Sequence, residues 1–374
     1  MGQVNFQAKT TGNYYEVEKA LYGAIDRHLP EGSFSYQYKP KPKALNMAMF
    51  FGRGGDVFMS HGVADKNYLY RRKPEGGFMI NDYAALFVPG PWLKDKLLRT
   101  PGVTLRPEQI VTVGWPRLDT LLEKQKSQAK TKGEKLKVLW APTHDARRHG
   151  SDNISTSSYP DFMPFTERLA EKVDLSIGLH PRNRTDKQPT GITMLEADVV
   201  ISDFGTMVYE AWALGKPVIF PYWIVGKGVQ KFRPKSAEAH IFKKRLGYHP
   251  DSFEEMLEIL EQPLTVGPDV TAFMEQYLPR ETWGRSGALC AAELTRLADT
   301  LDTLRTRPAA MPGPVRAAAK PAEKPAAKPK PQKGKGGKAP RKAKAKVAAP
   351  PPPPPKPPSL TARLAGVFDQ FRKK

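Results

Sequence analysis

The sequence predicts an α/β protein with parallel sheets, and three observations lead to this prediction. Short apolar runs alternate with helical segments, which is typical of parallel strands joined by crossover helices. The segment 197–220 contains one such unit: a buried strand, a tight turn, a helix that ends at Gly215 and a second strand. Finally, 374 residues exceed what a single core usually organises, so two lobes are expected.

The first lobe is predicted over residues 1–123. Apolar runs mark four expected strands, at 44–51, 56–60, 86–88 and 109–114. The segment 124–135 is polar and charged throughout, which favours a connection between the lobes.

The second lobe is predicted over residues 135–307, because strands and helices alternate regularly there. Its expected elements are a strand at 137–141, a helix at 161–172, a strand at 174–179, the unit at 197–220 and a long final helix at 285–304. Ser252 and Glu255 form a capping box, which predicts the start of a further helix. In parallel sheets of this kind, ligands bind at the carboxyl ends of the strands.

A basic tail follows the two lobes. Residues 308–358 are predicted to be a disordered linker rich in Lys, Pro and Ala, since 16 of the chain's 37 prolines fall there. Residues 359–374 are predicted to form a short basic amphipathic helix. From 308 to 374 there are 17 Lys and Arg against two acidic residues, a net charge of +15 out of +21 for the whole chain. The two lobes are therefore only mildly basic.

The composition of the tail indicates its partner. Nucleic acid is not expected, because no aromatic residue lies between 308 and 358 to stack on bases. An anionic membrane surface is favoured, because the apolar residues of the last helix share one face and basic residues surround them. These apolar residues are Leu360, Leu364, Val367, Phe368 and Phe371. A solubilising linker that ends in a partner-binding helix is the alternative.

Composition also limits the class of protein. Cys290 is the only cysteine, which excludes a disulfide framework and a cysteine-built zinc site. The first residues do not have the pattern of a secretory signal, and no run of 18 apolar residues is present. We therefore expect a cytoplasmic body. No carboxylate cluster has metal-ligand spacing, which favours charge neutralisation by Arg and Lys over a metal site. No cofactor is expected.

The turn at Gly205 is the clearest candidate for a ligand site. A glycine followed by Thr206 at a helix start offers free N–H groups, a hydroxyl and the positive end of a helix dipole, which together bind phosphate. Asp203 precedes this turn and Glu210 lies about one helical turn beyond it. An ordinary strand-to-helix turn is the alternative. Neither a P-loop nor a G-x-G-x-x-G fingerprint occurs, which disfavours kinases, P-loop NTPases and dinucleotide dehydrogenases.

Three histidines follow strand-like segments. His61 stands beside a glycine, where an imidazole can serve as a general base. His180 ends a strand with Arg182 close by, and together they suit phosphate oxygens. A hydrogen-bonded histidine at a strand end and a solvated basic loop are the respective alternatives. For His144 a polar loop is favoured.

The order of five short motifs resembles the CDP-glycerol glycerophosphotransferases. That family polymerises teichoic acids and, in related forms, phosphate-linked capsule chains. The motifs are Ser60-His61-Gly62 with Lys66, the segment 113–119 (VGWPRLD), the segment 140–143 (WAPT), His180-Pro181 and the segment 202–206 (SDFGT). The resemblance covers about residues 50–222, and the order of the motifs is more specific than any one of them.

The resemblance implies two Rossmann-like lobes of GT-B type that face a cleft. The second lobe would hold the donor nucleotide, and the acceptor would enter from the first. His61 is similar to the family's candidate base, which takes a proton from the acceptor hydroxyl. His180 and Thr206 are similar to its pyrophosphate contacts, and Asp203 would shape the turn.

Further site residues complete this expectation. Thr143 is expected at the donor site and Lys66 as a contact for the acceptor or a phosphate. On chemical grounds we add Arg182 as a charge partner and Glu210 as an acceptor for ribose hydroxyls. The chain departs from the family pattern at Gly205-Thr206, where two serines are usual, and after Thr143.

The Gly205 turn predicts an enzyme that uses an activated donor. The resemblance implies a transferase that moves glycerol phosphate or a similar phosphopolyol from a CDP-linked donor. The acceptor would be a hydroxyl of a surface polymer, free or lipid-linked, at the inner face of the cell membrane. Two alternatives remain: a GT-B sugar transferase of capsule or lipopolysaccharide synthesis, and a UDP-N-acetylglucosamine 2-epimerase, which the turn and the segment 214–217 also resemble. A non-enzymatic basic scaffold would leave the ordered motifs unexplained.

Overall fold

The computed structural model describes residues 2–9, 15–65, 67–128, 135–143, 155–180, 190–232 and 234–306. All of them belong to the body of the chain, Met1–Arg316. The predicted linker at 308–358 and the predicted helix at 359–374 lie outside the described residues. Within these ranges, no helix is both long enough and apolar enough to cross a membrane.

The first lobe contains a six-stranded sheet in which every strand pair is parallel. Its strands are β1 Gln3–Phe6, β2 Phe34–Tyr36, β3 Ala44–Ala48, β4 Val57–Met59, β5 Ala85–Val88 and β6 Ile110–Thr112, in the order β2-β1-β3-β4-β5-β6. Strands β3 to β6 correspond to the four apolar runs that predicted strands. Their residues are almost all buried, since helices cover both faces of the sheet.

The second lobe contains a four-stranded parallel sheet. Its strands are β7 Lys137–Ala141, β8 Asp174–Ile177, β9 Val199–Ser202 and β10 Val218–Ile219, in the order β10-β9-β7-β8. Two parallel sheets in two lobes confirm the predicted α/β fold class.

Helices connect and cover these strands. They are α1 Tyr15–Asp26, α2 Pro91–Leu98, α3 Pro116–Ser127, α4 Thr166–Lys172, α5 Thr190–Glu196, α6 Thr206–Ala213, α7 Tyr222–Phe232, α8 Ala237–Lys244, α9 Phe253–Leu260, α10 Pro268–Tyr277, α11 Ser286–Asp299 and α12 Leu301–Thr306. Ser252 caps α9 as its capping box predicts, because its hydroxyl accepts the backbone N–H of Glu255 at 3.1 Å. The expected single helix at 285–304 is two helices that meet at Thr300.

The last helices return to the first lobe. Helix α11 packs against α1 and α3 so closely that a β-carbon added to Gly287 would lie 2.0 Å from the carbonyl oxygen of Ala24. The Arg305 guanidinium of α12 pairs with Asp56 beside β4 at 2.8 Å. The end of the predicted second lobe therefore covers the first sheet.

One cluster of buried apolar side chains runs through both lobes, from Val4 on β1 to Tyr277 on α10. Two smaller clusters lie elsewhere, one around Phe58 in the first lobe and one around Trp140 in the second. The continuous cluster makes the junction between the lobes part of the core.

Candidate active site

The carboxyl edge of the second sheet gathers three predicted donor-site residues. Thr143 follows β7, His180 follows β8 and Asp203 follows β9. Because β7 pairs with both β8 and β9, these residues leave the sheet at the same edge. The backbone N–H of Thr143 donates to Asp203 Oδ2 at 2.9 Å, which joins two of them directly.

The Gly205 turn (residues 203–206) has the geometry expected of an anion site. Gly205 has φ 104° and ψ −164°, a backbone conformation that residues other than glycine rarely adopt. Among the described residues, a β-carbon added there would meet only the Thr143 methyl, at 3.9 Å. Helix α6 begins at Thr206 without a side-chain cap. Its first N–H groups and the helix dipole can therefore receive a phosphate.

Asp203 lies beneath the turn and is fully buried. Burial raises the pKa of this carboxyl from its ordinary value to about 6, while hydrogen bonds from Ser158 and Thr143 partly oppose the shift. Ser202, the preceding residue, donates its hydroxyl to the carbonyl of Ala141 at 2.8 Å and so fixes the end of β9 to β7. Asp203 thus links the turn to the residue that follows β7, and its turn-shaping role stays a prediction.

Glu210 has a different role from the expected one. Its carboxylate is fully buried, and it accepts hydrogen bonds from Trp115 Nε1 at 2.6 Å and from Arg117 Nε at 2.7 Å, with a further short contact to Arg117 Nη2. Both donors come from the first lobe, at the start of α3. No carboxylate oxygen is left exposed for a ribose hydroxyl, so the structure corrects the expected ribose contact to an ion pair between the lobes.

His61 lies at the carboxyl edge of the first sheet, where Ser60 separates it from the end of β4 at Met59. Its ring is partly buried and stacks on Phe50, with 4.2 Å between ring centroids and 14° between planes. The Ser60 hydroxyl donates to the carbonyl of Gly62 at 2.7 Å, which closes a tight turn around the histidine. The imidazole is thus held at a carboxyl edge, as are the predicted donor-site residues of the second lobe.

Buried hydrogen bonds tie the His61 loop (residues 60–65) to the second lobe. Asp65 accepts the N–H of Ala237 at 3.0 Å, its own N–H donates to Glu238 Oε1 at 3.0 Å, and Lys96 pairs with its carboxylate. Glu238 Oε1 also accepts the hydroxyl of Tyr209 at 2.9 Å. Burial beside Glu238 raises the pKa of Tyr209 well above its ordinary value, so the hydroxyl stays a donor.

A second path joins the same elements. Tyr277 donates to the carbonyl of Val63 at 2.9 Å and stacks on Tyr209, with 4.4 Å between ring centroids. Tyr209 belongs to α6, three residues after Thr206. The His61 loop is therefore anchored to the helix whose first turn forms the candidate phosphate site.

Some expected site residues lie outside the described residues. These are Lys66, Arg182 and the loop residue His144, so their contacts stay predictions. Within the described ranges, no group of three His, Cys, Asp or Glu side chains is arranged as a metal site would be.

Sequence comparison with known proteins identifies a relative that matches one segment of the chain. No family model matches. One segment is 29% identical over 147 residues to the teichoic acid ribitol-phosphate polymerase TarK of Staphylococcus aureus (strain NCTC 8325 / PS 47), and it covers 31% of this chain and 28% of TarK. The matched part thus spans less than a third of that relative.

Solved structures extend the likeness over more of the chain. The wall teichoic acid polymerase TagF matches with a TM-score of 0.53 at 13% identity, over 80% of this chain and 89% of that one. A variant of TagF gives a TM-score of 0.52 at 12% identity, over 80% of this chain and 90% of that one.

These findings first define the class of fold: two Rossmann-like lobes, as in the GT-B type. They then confirm the resemblance seen in the motifs, because the chain is similar to teichoic acid polymerases in sequence over one segment and in fold over most of its length. The named relatives are polymerases and hence enzymes.

The ion pair between Glu210 and Arg117 gives a testable prediction. Glu210→Gln should lower the free energy of unfolding by about 3 kcal/mol, because it leaves a largely buried guanidinium without its anion. Arg117→Gln should cost a similar amount, and the double variant should lose clearly less than the sum. Chemical denaturation of the three variants measures this coupling.

The exposed pair of Arg168 and Glu254, 57% and 66% exposed, is a matched control. Glu254→Gln should change the free energy of unfolding by less than about 1 kcal/mol. Strictly additive effects of the Glu210 and Arg117 substitutions would contradict the proposed ion pair.

Proposed function

We propose that this protein is a transferase that moves glycerol phosphate, or a similar phosphopolyol such as ribitol phosphate, from a CDP-linked donor to a hydroxyl of a cell-surface polymer. The likeness to TarK, a ribitol-phosphate polymerase, and to TagF, a wall teichoic acid polymerase, supports the reaction class. The arrangement of residues at the two sheet edges supports the division of the site into a donor side and an acceptor side.

The donor side is the Gly205 turn with Thr143 and His180. Uncapped N–H groups at the start of α6 and the hydroxyl of Thr206 would receive the diphosphate, and His180 would contact its oxygens. Phosphoryl transfer requires positioning and neutralisation of charge more than covalent help from the protein. These groups would stabilise the negative charge that develops on the departing CMP.

The acceptor side is centred on His61. The oxygen of the acceptor hydroxyl attacks the phosphorus that carries the polyol, and His61 takes the hydroxyl proton. The bond from that phosphorus to the bridging oxygen breaks, and CMP leaves with the bonding electrons. A positioned base contributes about 10²–10⁴-fold to such a step.

One observation carries this proposal. The hydrogen bonds from the His61 loop through Asp65 and Glu238 to Tyr209 fix the candidate base to the helix that would bind the donor. Buried hydrogen bonds of this kind keep the His61 loop and helix α6 at a fixed distance and orientation, as a reaction between two bound substrates requires.

The tail would place the enzyme at its acceptor. We propose that residues 308–374 hold the protein to an anionic inner membrane surface, since each lysine near such a surface contributes about 1 kcal/mol. A lipid-linked or growing surface polymer would be presented there.

A nucleotide-release assay tests the reaction. The protein should release CMP from CDP-glycerol or CDP-ribitol when a polyol-phosphate acceptor is present. His61→Ala should lower that rate by roughly 10²-fold or more, because the base is lost. His28→Ala is the matched control, since this exposed histidine follows α1 at the opposite edge of the same sheet. The rate of CMP release by this variant should equal that of the wild type.

Other outcomes of the same assay would overturn the proposal. UDP released from UDP-N-acetylglucosamine would indicate a sugar transferase. An epimerised sugar with no nucleotide released would indicate an epimerase.

Deletion of residues 308–374 tests the membrane proposal. The truncated protein should move from the membrane fraction to the soluble fraction and keep its CMP release, because the site lies in the two lobes. Sedimentation of vesicles made with anionic lipid measures this change. If the truncated protein still sediments with these vesicles, the tail is not the anchor.

A further inference from the structure

The loop after β3 contains an arrangement that neither the motifs nor the proposed reaction uses. This Phe50 loop (residues 49–55) has three glycines with positive φ: Gly52 at 85°, Gly54 at 70° and Gly55 at 143°. A β-carbon on Gly55 would lie 2.9 Å from Gln7 Oε1 and 3.1 Å from the carbonyl oxygen of Asn46. The loop is therefore folded tightly back on the sheet edge, beside the strand that leads to His61.

Arg53 anchors this loop from the inside. Its side chain is 5% exposed, and it makes short contacts to the fully buried carboxylate of Glu18 and to the carbonyl oxygen of Gln7. The second oxygen of Glu18 accepts the N–H of Lys9 at 2.8 Å. Gln7 Nε2 donates back to the carbonyl of Arg53 at 3.1 Å. These partners hold the buried guanidinium in a defined position on the inner side of the loop.

Arg53 in turn supports two aromatic rings. Its guanidinium carbon lies 4.9 Å from the centroid of the Phe50 ring and 5.1 Å from that of Tyr38, both cation–π distances. Of these two rings, Phe50 is the one stacked on the His61 imidazole, 4.2 Å away and 14° from parallel. The contacts form a continuous series from Glu18 through Arg53 and Phe50 to His61.

From this series we infer that Phe50 is a positioning residue, which fixes the plane of the His61 imidazole, and that Arg53 and Glu18 hold Phe50 in place. A flat ring against the imidazole restricts rotation about the histidine side-chain bonds while its nitrogens stay at the ring edge. Misplacement of a catalytic group by about 1 Å can cost 10²-fold in rate, so a fixed plane matters for a base. The inference rests on the proposed role of His61 for its functional meaning only.

A spectroscopic experiment tests the positioning without any reaction. In the full-length protein with isotope-labelled histidine, the His61 ring resonance is identified by its loss in His61→Gln. Stacking on Phe50 should shift the His61 ring protons upfield, and Phe50→Leu should remove that shift. Phe50→Tyr keeps the ring and should retain it. Tyr38→Leu removes the other ring on Arg53 and should leave the His61 resonance in place.

Phe50→Met provides a second variant without a ring, should Phe50→Leu fail to fold. An unchanged His61 resonance in either folded variant would overturn the inference, whatever the enzyme assay shows. Absence of CMP release in the wild type, with the resonance shifted as expected, would instead count against the proposed function alone.

The kinetic arm separates positioning from general packing. Phe50→Leu should lower kcat for CMP release by about tenfold or more and leave KM for the donor within about twofold, since the second lobe binds the donor. Phe50→Tyr should restore kcat. A rise in KM with unchanged kcat, or no rescue by tyrosine, would contradict a role in orienting His61.

Discussion

Three fully buried carboxylates lie where the two lobes meet, and hydrogen-bond donors of the opposite lobe stabilise them. The arrangement of the candidate site depends on these hydrogen bonds. The carboxylates are those of Asp65, Glu210 and Glu238. Each accepts a hydrogen bond from the opposite lobe: Asp65 from Ala237, Glu238 from Asp65, and Glu210 from Arg117. A buried carboxylate without such partners costs several kcal/mol, so rotation of one lobe against the other would be strongly opposed at this face.

This constraint bears on the proposal that two separate sheet edges form one site. Strand β4 delivers His61 and strand β9 delivers the Gly205 turn, each at the carboxyl end of its own sheet. No contact within one lobe can fix the distance and orientation between these two segments. The hydrogen bonds that Asp65 and Tyr209 donate to Glu238 fix them, because they connect the loop after β4 with helix α6. In the proposed function, the lobe junction would therefore have a catalytic as well as a structural role.

Much of the fold could be predicted from local patterns. Apolar runs gave β3 to β6, and the alternation from Lys137 onward gave the second sheet, because buried parallel strands are continuously apolar. Strands β1 and β2 were not predicted. Strand β1 contains Asn5, a polar residue that is buried and bonded to Asn46 at 3.0 Å. No residue of β2 is fully buried, so this strand has no continuous apolar run to indicate it. The return of α11 to the first lobe had no local signal either.

Some features of the candidate site could also be predicted from local patterns, and others could not. The Gly205 turn was predictable, because the turn is formed by neighbouring residues, a glycine and a threonine at the start of a helix. The role of Glu210 was not, since its partner Arg117 lies 93 residues away in the chain. Asp65 and Glu238 are 173 residues apart, and neither stands in a pattern that would indicate a buried contact. Phe50 resembles any core aromatic until the structure places it on His61.

We propose that the His61 loop and the Gly205 turn line one site. Hydrogen–deuterium exchange of the full-length protein, with and without a CDP-linked polyol, measures whether both segments respond to the ligand. We expect the ligand to slow amide exchange in the His61 loop, residues 60–65, and in the Gly205 turn, residues 203–206. Slower exchange at the Gly205 turn with no change in the His61 loop would contradict this proposal.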